Sequence, residues 1–360
     1  MTATNYFSSD YKEARANFLD ACNEAGANVE SYKNPNTTPE GEPLYTDVAV
    51  LGKGDARVSL ALGSGTHGVE GFCGSGIQNG LLREGLSSRL SPDLNVIMIH
   101  AINPYGFAHL RRFNEDNIDL NRNFVDHSKP YPQNPDYEAL ADAIAPAVYS
   151  AQTVKEAIKR LMSYGEEYGH AALQAAISGG QYSHPQGLFF GGQFETWSNK
   201  TFRTIVQGYL SSATRVAFID IHTGLGPHGY GEIILDDPTG SPAYEYAVAW
   251  WGDRTKSTKA GESVSIELSG TVKHALSEML PNAEHIGVTL EFGTVPYEEV
   301  FQALQAENWL YHHGGEDNPL GKEIKAEMRR VFYPDTDDWK ALVWDQGKEV
   351  VAQALAGLSI

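Results

Sequence analysis

Two segments of the sequence carry residues that can ligate one metal ion. His67 and Glu70 lie three residues apart in the glycine-rich segment GTHGVEG, residues 65–71. His222 follows much later, in the segment DIHTG, residues 220–224. Two imidazoles and one carboxylate are a ligand set of hydrolytic zinc centres, which keep a fourth position open for water. If these three residues meet in space, we expect a metal-dependent hydrolase.

Each of these residues also has a purely structural explanation. The glycines around His67 allow a tight turn, which could carry a surface histidine and a glutamate that begins a helix. His222 follows the apolar run VAFIDI, residues 216–221, and could be a core histidine whose nitrogens are paired. Asp220 lies two residues before His222 on the predicted strand, so both side chains point to one face. That placement favours Asp220 as a carboxylate that orients a neighbouring group.

Glu291 lies inside an apolar, strand-like segment, VTLEFGT, residues 288–294. Burying a carboxylate is costly unless the group has a partner or a task. A general base that activates water has such a task, and partial burial moves its pKa towards neutrality. Because Glu291 alternates with Leu290 and Phe292, it could instead face solvent at a strand edge. We favour the catalytic interpretation.

A polar segment rich in arginine and asparagine, HLRRFNEDNIDLNRNF, covers residues 109–124. It comes soon after an apolar run that reads as a buried strand. One arginine of this segment could bind a substrate carboxylate through its two-pronged guanidinium group. Another could polarise the scissile carbonyl and stabilise the oxyanion. The alternative is a solvated loop with structural salt bridges.

The composition is that of a globular enzyme and excludes several classes of protein. The chain has 360 residues, of which 41% are hydrophobic and 20% charged, so it can bury a sizeable core. Its net charge of −19 argues against binding to nucleic acid or to an anionic membrane. Cys22 and Cys73 could form one disulfide, but not a cysteine-rich metal site. Without an apparent signal sequence or membrane span, we expect a cytoplasmic protein.

Strand-like and helix-like segments alternate along the chain, which predicts an α/β fold around a mixed, mostly parallel sheet. Strands are predicted at 46–51, 57–62, 94–101, 215–221, 231–235 and 285–292. The first two are separated by GKGD, residues 52–55, which predicts a hairpin. Helices are predicted at 11–25, 72–83, 200–211, 296–312, 319–331 and 338–355. The candidate metal ligands follow strands, where open α/β sheets bind ligands.

The remaining segments do not divide the chain into units. Residues 135–174 are mainly helical in pattern, and residues 179–192, rich in glycine and aromatic side chains, predict an ordered loop. No internal repeat or linker-like stretch appears. We therefore expect a single catalytic domain over residues 1–360, with a helical insertion at about 130–200.

The order of the motifs resembles the zinc carboxypeptidase family of the zinc exopeptidase superfamily. His67 and Glu70 form a His-x-x-Glu motif, followed by NPYG at 103–106 and DLNRNF at 119–124, then the lone His222 and the strand-borne Glu291. The DLNRNF string is highly specific. The resemblance runs from about residue 60 to residue 295.

This resemblance implies a fold, a cofactor and a set of roles. The fold is the zinc exopeptidase α/β/α sandwich around a mixed sheet. One Zn²⁺ ion is held by His67, Glu70 and His222, and Glu291 is the general base and acid. In segment 109–124, Asn121 and Arg122 hold the terminal carboxylate of the substrate. Arg112 or Arg111 assists the oxyanion.

The sequence also departs from the carboxypeptidase pattern and shares features with a related group. Arg111 and Arg112 lie only ten and nine residues before Asn121, whereas the oxyanion arginine of carboxypeptidases lies further upstream. The family's active-site tyrosine has no match, because residues 265–285 contain none; Tyr230 could cap the pocket instead. The GTHG and LEFG motifs are similar to those of N-acyl amino acid deacylases of the aspartoacylase and succinylglutamate desuccinylase type. The chain therefore resembles an atypical branch.

Three functional hypotheses follow. The leading one is a zinc metallopeptidase of the carboxypeptidase type, acting on small peptides. The second is an N-acyl amino acid deacylase with the same chemistry and a more closed pocket, which the helical insertion and the aromatic loop near 182–190 could provide. The third is an inactive binding protein that keeps the fold, which the full set of ligands and the glutamate disfavour.

Overall fold

One mixed sheet of eight strands runs through the computed structural model, which describes residues 3–359. Its spatial order is β1-β2-β4-β3-β5-β8-β6-β7. The strands are β1 (Asn28–Thr37), β2 (Pro43–Leu51), β3 (Val58–Ser64), β4 (Leu94–His100), β5 (Arg215–His228), β6 (Gly231–Leu235), β7 (Thr255–Ser257) and β8 (Glu284–Gly293).

The four central strands, β4, β3, β5 and β8, run parallel to one another. On one side of these strands, β2 pairs antiparallel with β4, and β1 pairs antiparallel with β2. On the other side, β6 pairs antiparallel with β8, and β7 pairs parallel with β6. Every residue of β4 is buried, as expected for a parallel strand that is covered on both faces. The predicted α/β class with a mixed, mostly parallel central sheet is confirmed.

Helices cover both faces of the sheet, so that the molecule has three layers. They are α1 (Tyr11–Ala25), α2 (Gly71–Arg83), α3 (Pro104–Ala108), α4 (Leu120–Asn123), α5 (Pro135–Ile144), α6 (Ala151–Tyr168), α7 (His170–Ser178), α8 (Trp197–Tyr209), α9 (Pro242–Trp251), α10 (Val272–Met279), α11 (Tyr297–His313), α12 (Pro319–Phe332) and α13 (Asp337–Leu358). Helices α1, α2 and α13 pack on the face that carries Leu60 and Leu62. Helices α8 and α10 pack on the opposite face, which carries Ala61, because side chains alternate along a strand.

The predicted hairpin between the first two sequence-predicted strands is wrong. Strands β2 and β3 do not pair with each other, because β4 lies between them, antiparallel to β2 and parallel to β3. Gly52, in the connecting turn, has a φ of +88°, and a Cβ there would lie 2.8 Å from the carbonyl oxygen of Leu94. The start of β4 is therefore packed against the turn that the sequence assigned to a hairpin.

Several elements have weak sequence signals and were not predicted. Strand β1 is an edge strand in which only Asn34 is buried, so it lacks an apolar pattern. Strand β7 has only three residues. Helices α9 and α10 were also not predicted from the sequence. Cys22 and Cys73 are buried, free thiols, so the disulfide that the sequence allows is not formed.

Helices α5, α6 and α7 follow one another over residues 135–178 and share a third apolar cluster with α11 and α12. Residues 179–192 then form an irregular segment with one isolated bridge, between Gln181 and Phe190. Across residues 3–359, no helix combines the length and the apolar character needed to cross a membrane.

Candidate metal centre and adjoining cavity

The candidate ligands meet because β3 and β5 are parallel neighbours. His67 and Glu70 lie in the turn between β3 and α2, whereas His222 lies within β5. Gly65 permits this turn: its φ is +63°, and a Cβ there would lie 2.8 Å from the Cβ of Ala101. The turn after the carboxyl end of β3 and the side chain of His222 on β5 therefore face the same point.

The three side chains converge on one point through specific atoms. The Nδ1 atoms of His67 and His222 are 3.1 Å apart. The Glu70 carboxylate lies 3.0 Å from Nδ1 of His67 and 2.9 Å from Nδ1 of His222. All three residues are at most 5% exposed. Two nitrogen lone pairs and a carboxylate that face each other this closely are suited to a cation, and this donor set fits Zn²⁺.

The other nitrogen of each imidazole is held by a second carboxylate. Nε2 of His67 lies 3.2 Å from Oδ1 of Asp119, and Nε2 of His222 lies 2.6 Å from Oδ2 of Asp220. The hydroxyl of Thr66 donates to the remaining oxygen of Asp220 at 2.8 Å. Such carboxylates fix the orientation of ligating imidazoles and increase their basicity. Asp220 lies where the sequence placed an orienting carboxylate, whereas Asp119, the first residue of DLNRNF, was given no role.

The electrostatics of the cluster favour ionised carboxylates. Burial alone would raise the pKa of Glu70, but the charge on His67 and hydrogen bonds from His222 and His67 hold that pKa well below its usual range. Burial likewise opposes ionisation of Asp119, and the charges of Arg112 and Arg122 outweigh it, so its pKa is also lowered. Both carboxylates are therefore ionised, and Glu70 can bind a cation directly.

Glu291 lies on β8, directly opposite His222 in the strand register. It is 7% exposed, and its Oε1 accepts a hydrogen bond of 2.9 Å from the backbone N–H of Leu225. Burial, and next the negative charge of Glu70, raise the pKa of Glu291 to about 7. A buried carboxyl with a pKa near neutrality beside a candidate metal site has the properties of a general base.

The two adjacent arginines point to different environments. Arg112 lines the cavity next to the ligands: Nη1 donates to Glu70 at 3.0 Å, Nε donates to Asp119 at 3.2 Å, and Nη2 lies 2.9 Å from Nε2 of His67. Arg111 is fully buried and does not line the cavity. Its Nε donates to Glu307 at 2.8 Å. Of the two arginines, Arg112 lies at the cavity and Arg111 lies in the core.

Asn121 and Arg122 also line the cavity. Oδ1 of Asn121 accepts a hydrogen bond from the backbone N–H of Val272 at 3.0 Å, so its amide donors remain for a ligand. The guanidinium of Arg122 donates to the backbone oxygens of Asn121 and Ser178. Its Nε is buried without an acceptor among residues 3–359. Asn121 can therefore still donate to a carboxylate, and the positive charge of Arg122 lies beside it.

The tyrosine at the cavity is Tyr297 and not Tyr230. Tyr230 lies in the turn between β5 and β6, is 38% exposed and is absent from the cavity wall. Tyr297, the first residue of α11, lines the cavity although 36% of its surface is exposed; desolvation of its hydroxyl raises its pKa to about 12 against the opposing charge of Arg112. Sequence analysis missed Tyr297, although a tyrosine that begins a helix just after the strand of Glu291 was available as a signal.

The cavity has a volume of about 100 Å³, small for a binding site. Its wall includes a second charged pair that sequence analysis also missed: Nζ of Lys273 lies 2.9 Å from Oδ2 of Asp236. Lys273 is only 8% exposed. The charge of Lys273 outweighs the effect of burial and lowers the pKa of Asp236. The small volume restricts the group that can sit between these residues and the candidate ligands.

Comparison with known proteins gives a family and several solved structures of distantly similar fold. The family model described as "Protein of unknown function (DUF2817)" matches residues 7–346. No curated protein sequence matches the chain. Carboxypeptidase A from Helicoverpa armigera is 14% identical, with a TM-score of 0.47 over 89% of this chain and 73% of that chain. Bovine thrombin-activatable fibrinolysis inhibitor is 12% identical, with a TM-score of 0.48 over 97% and 98%. A succinylglutamate desuccinylase from Silicibacter is 13% identical, with a TM-score of 0.41 over 79% and 66%.

Proposed function

This chain belongs to the family described as "Protein of unknown function (DUF2817)", and we propose that it is a zinc-dependent hydrolase that cleaves an amide bond next to a free carboxylate. The observation that carries the proposal is the convergence of three ligand atoms on one point. The Nδ1 atoms of His67 and His222 and the Glu70 carboxylate all lie within 3.1 Å of one another. Two further carboxylates hold the imidazoles in this orientation.

The residues around this point supply the remaining steps of hydrolysis. When bound, zinc supplies a Lewis acid that lowers the pKa of water and polarises a carbonyl. Glu291, buried and directly opposite His222 in the strand register, takes a proton from the attacking water. It then delivers that proton to the leaving nitrogen. The guanidinium of Arg112, beside Glu70, stabilises the developing oxyanion.

Substrate orientation comes from the polar end of the cavity. Asn121 binds the free carboxylate of the substrate through its side-chain amide, and the positive charge of Arg122 attracts that carboxylate. The cleaved bond then lies next to that carboxylate, which is the arrangement shared by carboxypeptidases and N-acyl amino acid deacylases. The chain acts in this proposal as one catalytic domain. The convergence of His67, Glu70 and His222 next to Glu291 supports a hydrolase over an inactive binding protein.

The experiment that tests this proposal follows activity and metal together. Full-length protein is stripped with a chelator, reloaded with zinc, and incubated with a mixture of short peptides and N-acyl amino acids. We expect mass spectrometry to detect released free amino acids with the zinc-loaded protein and none with the stripped protein. A protein that binds zinc tightly and leaves both substrate classes intact is not a hydrolase of this type.

A further inference from the structure

An apolar groove adjoins the catalytic cavity. It lies between helices α6 and α7 on one side and α11 on the other, and its volume is about 680 Å³, against about 100 Å³ for the cavity. Gln174, Leu225 and Tyr297 line both spaces. The two spaces are therefore adjacent, separated by no more than these three side chains, and a substrate too large for the cavity would extend past them into the groove.

The groove opens next to the proposed general base. Leu225 lines the groove, and its backbone N–H donates to the carboxylate of Glu291 at 2.9 Å. The group that enters the groove is thus joined to the carbonyl that Glu291 helps to hydrolyse. Because Asn121 and Arg122 hold the carboxylate of the amine portion, the group in the groove is the acyl portion of the substrate.

The wall of the groove is apolar, and its polar residues lie at the rim. Leu161, Ile177 and Phe301 are buried and belong to the third apolar cluster of the protein. Met162 lines the groove and is 60% exposed, so the apolar wall reaches the protein surface. The carboxylates and amides along the groove are on exposed residues, apart from partly buried Gln174.

The walls of the groove offer few hydrogen bonds to a peptide. They are mainly helical, so most of their backbone N–H and C=O groups are already paired within α6, α7 and α11; the exceptions are N–H groups in the first turns of α7 and α11. The side-chain amide of Gln174 donates to the backbone oxygen of Val264 at 3.0 Å. A peptide in this groove would leave buried backbone groups unpaired, at a cost that an aliphatic chain avoids.

We propose that the substrates are N-acyl amino acids with a long aliphatic acyl chain, which lies in this groove while a small amino acid occupies the catalytic cavity. This proposal rests on the proposed function, because the hydrolytic site fixes which portion of the substrate enters the groove. The aliphatic chain gains free energy by leaving water, and each methylene that enters the groove adds to it.

Binding to an inactive variant tests the proposal without turnover. Zinc-loaded Glu291→Gln protein is titrated by calorimetry with N-acyl alanines from acetyl to dodecanoyl, below their micelle concentrations. We expect Kd to fall about fourfold per added methylene until the groove is filled. An apolar tripeptide of similar size is the comparison ligand, and we expect it to bind more weakly than the long-chain acyl alanine.

A variant of the groove tests whether the acyl chain of the ligand binds there. Ile158→Gln combined with Met162→Gln, in the Glu291→Gln background, replaces the apolar wall on α6 with residues that also favour helix. We expect about a tenfold weaker Kd for dodecanoyl-alanine and a smaller gain per methylene. The matched control is Leu320→Gln, an apolar residue 43% exposed on α12, which should leave the gain per methylene unchanged.

The outcomes separate this proposal from the hydrolase proposal. A Kd that does not depend on chain length, an unchanged gain per methylene in the groove variant, or equally tight tripeptide binding overturns the acyl-chain proposal. Zinc-dependent hydrolysis by the wild type with no dependence on chain length leaves the hydrolase proposal standing and overturns this one. If binding depends on chain length but the zinc-loaded wild type hydrolyses nothing, the groove binds the acyl chain and the hydrolase proposal is overturned.

Discussion

His67 and His222 present their Nδ1 atoms to each other at a distance of 3.1 Å. Two neutral imidazoles cannot keep two lone pairs this close without a cation or a proton to attract both. Asp119 and Asp220 hold the opposite nitrogens at 3.2 Å and 2.6 Å, so neither ring is free to turn away. The protein thus holds in place an arrangement that a divalent cation would stabilise.

The role of the carboxylate behind His222 can be measured through metal affinity. Asp220→Asn keeps the shape of the side chain but removes the charge that makes the imidazole more basic. We expect zinc affinity to fall by about 10-fold to 100-fold, measured by competition with a chromophoric chelator. The control is Asp47→Asn, a buried carboxylate paired with Arg15 at 2.7 Å and outside the cavity wall. Equal losses of affinity in both variants would contradict a specific role for Asp220.

Replacing the proposed base should separate metal binding from turnover. Glu291→Gln is expected to lower kcat by about 10²-fold to 10⁴-fold while the zinc content stays that of the wild type. The measurement is turnover of a cleaved substrate together with elemental analysis of the purified protein. Glu232→Gln is the matched control, because Glu232 is the register partner of Glu291 on β6 and does not line the cavity. Turnover within a few-fold of wild type would remove Glu291 from this role.

Local signals in the sequence were sufficient for the fold class and for most elements. The helix predicted at 11–25 has those bounds in the structure because both ends are capped. The side chain of Asp10 accepts from the N–H of Glu13, and Gly26 ends the helix with a φ of +68°. Strand β6 also has its predicted bounds. Such features depend on a few neighbouring residues, and so they can be predicted from the sequence.

Features that depend on contacts between residues far apart in the sequence could not be predicted from local patterns. Arg111 and Arg112 are neighbours with similar local context, yet Arg111 is withdrawn into the core by Glu307, which lies 196 residues later. The order of the strands was missed for the same reason, since β4 enters between β2 and β3 from further along the chain. Tyr297 reaches the cavity only because α11 packs beside β5, a contact with no local signal.

Arg112 should matter for catalysis more than for stability. Arg112→Gln removes the guanidinium beside the candidate ligands, and we expect kcat/KM to fall by about 10²-fold because the oxyanion loses its positive partner. The protein should still fold, since the side chain of Arg112 reaches the cavity rather than the core. Steady-state kinetics with urea unfolding as the companion measurement tests this. An unchanged kcat/KM would exclude Arg112 from the reaction.

The neighbouring arginine should show the opposite pattern. Arg111→Gln leaves Glu307, which is fully buried, with only Lys325 as a charged partner at 2.8 Å. We expect the free energy of unfolding to fall by about 3 kcal/mol, because a buried charge is then only partly compensated. Activity per folded molecule should stay within a few-fold of wild type. A stable Arg111→Gln protein with greatly reduced activity would reverse the roles assigned to the two arginines.

His100 should make the stability of the protein depend on pH, independently of the metal ligands. Its ring is buried against Phe18, and burial, opposed by the charge of Asp47, lowers its pKa to about 4. In the unfolded chain the pKa is about 6.5. Between these values the unfolded state binds a proton that the folded state does not, so stability falls as pH drops below about 6.5. We expect a loss of about 2 kcal/mol between pH 7 and pH 5 from this group. Urea unfolding at both pH values should show a smaller loss for His100→Gln; parallel losses in wild type and variant would contradict the assignment.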